Sequence, residues 1–270
     1  MTNSLAAVTG ASAGIGSVFA RKLAAQGHDL LLIARRGDRL EQLAAELERA
    51  HQIHVEACTA DLSVAEDMDR VAARLAAEPR LDLLVNNAGF GVKGRFYETP
   101  LEGQLKMHRL HIGAILRLTH AALAAMVVRG RGSIINVASV AGFTRSPGSV
   151  SYCATKAWVN AFTEGIYLDL RSARSPVVVQ ALCPGFTYSE FHDVAGVDRA
   201  SIPKSFWMSA EDVVDASLAG LRRRKLFVVP GWRYKLVVAL VNRIPVRLRL
   251  ALESAAPHNR ARLSERANPD

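Results

Sequence analysis

Apolar residues along this chain fall into short blocks separated by stretches of helical spacing. Residues 4–8 are a short aliphatic block, and a Gly-rich turn follows. Residues 15–26 then place Val18, Phe19 and Leu23 at helical intervals. Residues 29–34 are a continuous apolar run bounded by charge, as expected of a strand buried on both faces. Leu40, Leu43, Ala44 and Leu47 repeat with helical period, and residues 53–58 read as the next strand. A helix over 64–77 is ended by Pro79, and strands follow over 81–85, 133–138 and 177–182. Two long helices are predicted, over 101–129 and 149–171, and another starts near Ser209.

Strict alternation of strand and helix implies crossover connections, hence a parallel α/β sheet wound on both faces. No Pro/Gly/Ser-rich linker divides the chain and no repeat is visible, so one domain is expected over 1–230, with an extension over 231–270. Ligands of such sheets bind beyond the carboxyl ends of the strands, so the residues just after each strand matter most.

After the first strand stands Thr9-Gly10-Ala11-Ser12-Ala13-Gly14-Ile15-Gly16. Gly10 permits a tight turn, while Gly14 and Gly16 let backbone approach a pyrophosphate or pack closely. The helix that follows offers its unpaired N–H groups to phosphate. Arg35-Arg36 ends the second strand, where the adenosine ribose of a dinucleotide would lie. No acidic residue stands between Leu30 and Arg36, which favours NADP(H) over NAD(H). Asp61-Leu62 is placed to meet the adenine edge. Asn86-Asn87-Ala88-Gly89 follows the fourth strand and, taken alone, reads as an ordinary turn. Ser139 follows the fifth strand, and Tyr152 and Lys156 share one helix face. An ammonium beside the phenol would lower its pKa from about 10 toward the range of a proton shuttle.

In this order and spacing the motifs resemble the short-chain dehydrogenase/reductase family. They are Thr-Gly-x-x-x-Gly-Ile-Gly at 9–16, Asn-Asn-Ala-Gly at 86–89, Ser139, Tyr-x-x-x-Lys at 152–156 and Pro184-Gly185. The resemblance covers about residues 4–230. Residues 136–143 and 182–187 are similar to the NADP-dependent, ketoacyl-reductase-like branch. It implies a Rossmann-type fold and hydride exchange between a nicotinamide and a carbonyl or carbinol carbon. Tyr152 would be the acid/base, Lys156 would tune it and bond the nicotinamide ribose, and Ser139 would orient the substrate oxygen. Asn87, with Ala88 and Gly89, would border the cofactor. Pro184, Gly185, Thr187 and Ser189 would hold the carboxamide, Ser189 standing where the family usually has Thr. His111 aligns with a helix Asn that supports a water leading to the Lys. Either it takes over that proton relay, the favoured reading, or the relay is impaired.

Of the 270 residues 50% are apolar and 22% charged, which excludes a disordered chain. Three separated cysteines match no zinc spacing or disulfide framework, and the N-terminus lacks a signal pattern, so a cytoplasmic protein is expected. His108, His120 and His192 read as ordinary surface or satisfied groups, and no metal site is expected. Residues 222–270 hold 12 Lys and Arg against 3 Asp and Glu, whereas residues 1–221 balance at 22 of each. That distribution argues against nucleic acid as a partner and calls for a separate account of the tail. Trp232, Leu236, Val237, Leu240, Val241 and Ile244 form an apolar stripe among Arg233, Lys235, Arg243, Arg247 and Arg249, and Pro245 breaks the helix. Such a segment docks on its own domain or a sister subunit, the favoured reading, or lies peripherally on an anionic membrane through 231–250.

Residues 186–207 read as a long lid rich in aromatics, with Phe90, Phe96 and Phe143 opposite. Either they line a site for a hydrophobic carbonyl or alcohol substrate, or they simply pack the lid on the body. Family resemblance also implies self-association through the two long helices. The reading from a different class is a dinucleotide-binding sensor or membrane-associated scaffold with little turnover.

Overall fold

The first strand, β1 (Leu5–Thr9), is buried at all its positions and lies in the interior of the sheet. It pairs in parallel with β2 (Asp29–Ala34) on one side and β4 (Leu81–Asn86) on the other. The computed structural model describes residues 3–191 and 202–255. Its seven parallel strands run in the order β3-β2-β1-β4-β5-β6-β7, with β3 Val55–Thr59, β5 Ser133–Val137, β6 Val178–Leu182 and β7 Phe227–Val228. The order reverses between β1 and β4, which opens a crevice at their carboxyl ends.

Alternation along each strand feeds two cores. Ala6, Val8, Leu30 and Leu32 face one side, against α1 (Gly14–Ala24), α2 (Gly37–His51) and α7 (Ala210–Arg222). Leu5, Ala7, Leu31 and Ile33 face the other, against α3 (Ala65–Ala76), α5 (Ile115–Arg129) and α6 (Val150–Ser172). Ser209 caps α7, its Oγ accepting from Asp212 N at 3.0 Å. The doubly wound Rossmann-type sheet is as expected, with element ends moved by a few residues.

The expected helix over 101–129 is not one α-helix. It is α4 (Leu101–His108), a π-helical segment (Arg109–Ala114) and α5. Periodicity conceals the change, because the apolar positions stay in phase while the π turn inserts extra backbone. Leu101–Arg129 is long and apolar enough to cross a membrane, yet Met107, Ile115, Leu118, Ala122 and Met126 are buried within the domain.

The C-terminal segment forms α8 (Trp232–Val241) and α9 (Val246–Ala255). Docking of the apolar stripe on its own domain is partial among the described residues: Val237, Val241 and Ile244 are half-buried. Trp232, Leu236 and Leu240 are exposed, and the buried residue of α8 is Tyr234, on the opposite face.

Candidate active site

The β1–α1 turn is shaped by its glycines. Gly10 and Gly14 have φ of +66° and +55°, a region side chains rarely adopt. A Cβ on Gly16 would lie 2.2 Å from the Gly10 carbonyl oxygen. Asn87 clamps the turn, its Nδ2 donating to Thr9 O at 2.9 Å and Gly10 O at 3.3 Å. Thr9 Oγ1 accepts from the N–H groups of Asn87 and Ala88. Asn86 is no turn residue. It ends β4, buried, and donates to Thr119 Oγ1 and Asn136 Oδ1, tying β4 to β5 and α5. With Ala13 as its N-cap, α1 has no side-chain cap, so its first N–H groups face the cleft unclaimed by a side chain.

Arg36 reaches across the turn, with Nε and Nη2 donating to Ser12 Oγ at 3.2 and 3.1 Å. Its Nη1 pairs with Glu190 at 2.7 Å, and Arg39 pairs with the other oxygen of that carboxylate at 2.7 Å. The two guanidiniums hold the Glu190 carboxyl below the usual carboxylate range. Arg35 is exposed at the rim. Asp61 is less free than expected. Burial alone would raise its carboxyl, but bonds from Ser63 and Lys106 outweigh that and lower it. Leu62 lines the cleft while packed into the core.

At the other end Ser139 caps a short 3₁₀ turn (Val140–Gly142), accepting from Ala141 N at 3.1 Å and donating to Pro184 O at 3.3 Å. Burial pushes the Tyr152 phenol up to about 12, against a hydrogen bond with Ser139 that lowers it. Burial pushes the Lys156 amine down to about 8. Its Nζ donates to Val137 O at 2.8 Å and lies 5.9 Å from the Tyr152 ring centre. The expected depression of the phenol by Lys156 is therefore not found here, because desolvation dominates both groups.

His111 lies in the π segment, fully buried. Its Nε2 accepts from Phe90 N at 3.2 Å, which leaves the proton on Nδ1, 3.0 Å from Thr155 Oγ1. Thr155 in turn donates to the Tyr152 carbonyl at 3.0 Å. Both ring nitrogens are committed, and burial together with the Lys156 charge holds the His111 pKa well below the usual imidazole value. A titrating relay does not fit this geometry; a brace between the Phe90 loop and the Tyr152 turn does. Gly89 is explained by the same ring, since a Cβ there would meet His111 Nε2 at 2.9 Å.

Thr187 donates to Gly185 O and Ser189 to Thr187 O, so these hydroxyls shape the loop after β6. Gly185 must be glycine for a reason the sequence did not suggest. A Cβ would lie 2.0 Å from the Tyr234 ring, whose hydroxyl accepts from Phe186 N at 3.0 Å and donates to Phe206 O at 2.6 Å. Tyr234, Glu190 and Thr155 carry no sequence signal of their own, and Thr9, although part of the glycine motif, shows no role there, because each acts through a partner far along the chain. Thr155, inside the Tyr-x-x-x-Lys motif, was the most findable.

These pieces enclose a cleft of about 450 Å³. Every candidate residue lines it except Gly16 and His111, which stand behind its wall. Of the aromatics, Phe90, Phe186 and Phe191 line it, and Phe191 lies 5.8 Å from the Tyr152 ring. Phe206 and Trp207 pack within the lid, Tyr188 stacks on Trp207, Phe143 packs on Phe227, and Phe96 is exposed. Residues 192–201 of the lid, His192 among them, lie outside the described residues. No cluster of metal-ligating side chains occurs among the described residues.

A family model described as short chain dehydrogenase matches residues 4–199. The chain belongs to the short-chain dehydrogenase family. It is 36% identical to a short-chain dehydrogenase from Sphingobium yanoikuyae solved in complex with NADPH, with a TM-score of 0.81 over 90% of this chain and 97% of that one. The bulky-bulky ketone specific alcohol dehydrogenase from Comamonas testosteroni is 30% identical, with a TM-score of 0.78 over 91% and 96% of the two chains. The very-long-chain 3-oxoacyl-CoA reductase of Anas platyrhynchos is 31% identical over 70% of this chain, which spans 62% of that reductase. As a short-chain dehydrogenase the protein is a nicotinamide-dinucleotide oxidoreductase acting on CH–OH/C=O groups. The glycine turn, the clamped Asn87 loop and the uncapped start of α1 fit a dinucleotide phosphate at this site.

Proposed function

We propose that this short-chain dehydrogenase interconverts a hydrophobic ketone and its secondary alcohol, using NADP(H) in preference to NAD(H). The observation that carries the reading is that Ser139 and Tyr152 line one cleft together with Phe90, Phe186 and Phe191, with Lys156 beside Tyr152 and its amine bonded to Val137 O. The bound nicotinamide supplies or accepts the hydride. Ser139 Oγ orients the substrate oxygen. Tyr152 keeps its proton at neutral pH and delivers it to that oxygen during reduction, or recovers it during oxidation. Lys156, protonated below about pH 8, supports the phenolate left behind.

Arg36 supports the cofactor preference, because it stands at the end of β2 with no carboxylate of β2 beside it. His111 serves as a positioning residue, bracing the Phe90 loop against the turn that holds Tyr152. Leu101, Leu105, Leu116, Val127, Val128 and Leu168 are exposed, which supports self-association through the long helices.

A panel of small and bulky ketones, assayed for oxidation of NADPH and of NADH, tests the proposal. Turnover rising with apolar bulk and favouring NADPH is expected. Turnover confined to small polar carbonyls, or equal with NADH, contradicts it.

A further inference from the structure

The outer face of α8 is apolar and uncovered among the described residues. Trp232, Leu236 and Leu240 are 67%, 53% and 51% exposed. At four-residue spacing they share an arc of roughly 80° on the helix. Tyr234, on the far side, is 5% exposed and joined to the lid at Phe186 and Phe206. The helix is thus apolar on two faces, and only one is buried. The open face is flanked by cations. Arg233 lies over the Trp232 ring at 4.9 Å, and Lys235 and Arg243 are exposed beside it.

The charge decides between occupants. Residues 222–270 hold 12 Lys and Arg against 3 Asp and Glu. A second copy would bring the same positive field against this face, and close like charges oppose association. Nucleic acid would leave the apolar row in water. A bilayer with anionic headgroups satisfies both features at once, as basic helices with Trp and Leu on the buried side do.

We propose that the outer face of α8 docks on an anionic lipid bilayer. Trp232, Leu236 and Leu240 enter the interface, and Arg233, Lys235 and Arg243 meet headgroup phosphates. Because Tyr234, on the opposite face of the same helix, is bonded to both described flanks of the lid, docking sets α8 between the bilayer and the lid.

Full-length protein is sedimented with vesicles of phosphatidylcholine alone and of phosphatidylcholine mixed with phosphatidylglycerol. The expected result is binding at least about ten-fold stronger to the anionic vesicles, weakened by high salt. Leu236→Glu/Leu240→Glu should lose at least about 100-fold of that binding, since two aliphatic side chains leave the apolar interface and two negative charges enter it. Both side chains are exposed and outside the cleft, so its Tm and NADPH affinity should stay at wild-type values. Equal binding to both vesicle types, or binding retained by the double variant, overturns the proposal. So does absence of vesicle binding together with self-association that the double variant abolishes, which would assign the face to a second copy. None of these outcomes touches the ketone-panel result, so the two readings fail separately.

Discussion

The cofactor cradle and the lid are both built from loops after strands, yet they are held by different means. The cradle is fixed through its backbone groups: Gly16 under Gly10, the Asn87 side-chain amide bonded to the Thr9 and Gly10 carbonyls, and the Thr9 hydroxyl bonded to the Asn87 and Ala88 N–H groups. The lid rests on a side-chain cluster of Phe186, Phe191, Ile202, Phe206 and Trp207, tied to the body by Tyr234 and Arg233 and by a short backbone bridge at Met208. Backbone contact at this range tolerates no added atom, whereas an aromatic cluster can repack. The cradle should therefore fail sharply under substitution and the lid gradually.

The largest contrast comes from Gly16→Val. Its Cβ has no room beside the Gly10 carbonyl, so NADPH affinity should fall below detection by calorimetry or the chain should not fold. Unchanged affinity would show that the cradle yields as the lid does. Next in size, Arg36→Ser should cut the kcat/KM ratio of NADPH to NADH by about 100-fold, as expected for loss of a charge-assisted phosphate contact. A constant ratio would move the preference elsewhere, to Arg35 or Arg39. On the lid, Phe191→Ala should raise KM for a bulky ketone by about ten-fold and leave kcat within a few-fold, since it removes apolar contact that ground and transition states share. Loss confined to kcat would place Phe191 in the chemistry.

The pH dependence links the two regions. Lys156 has its pKa lowered to about 8, so it is charged below that value and neutral above it. Reductive kcat/KM should hold on the acid side and decline as pH rises through about 8. A profile flat to pH 10 would remove Lys156 from the proton step. The smallest effect is expected at the seam between cradle and lid. Glu190 holds Arg36 and Arg39, so Glu190→Gln should free both and lower KM for NADPH by about three-fold, within the worth of exposed ion pairs. NADH should be unaffected.

Legibility in the sequence followed the same division. The sheet, the glycine turn, Asn87, Ser139, Tyr152 and Lys156 were readable because each obeys a short-range rule of spacing after a strand. The π segment was not, since the apolar period of 101–129 runs through it unbroken. The partners of His111 depend on that segment, and its neutral state follows from burial that a single position in a string does not reveal. Tyr234 and Glu190 meet partners 48 and 154 residues away, beyond any local pattern. The apolar stripe of α8 was visible, but its being only partly docked depends on which face Tyr234 occupies.

The central claim is that Tyr152 moves the proton while the cradle holds the dinucleotide independently of it. Tyr152→Phe, measured for NADPH affinity by calorimetry and for turnover of a bulky ketone, tests this most directly. The account predicts wild-type affinity and a loss of about 10³-fold in kcat. Turnover retained within ten-fold, at intact affinity, would contradict it.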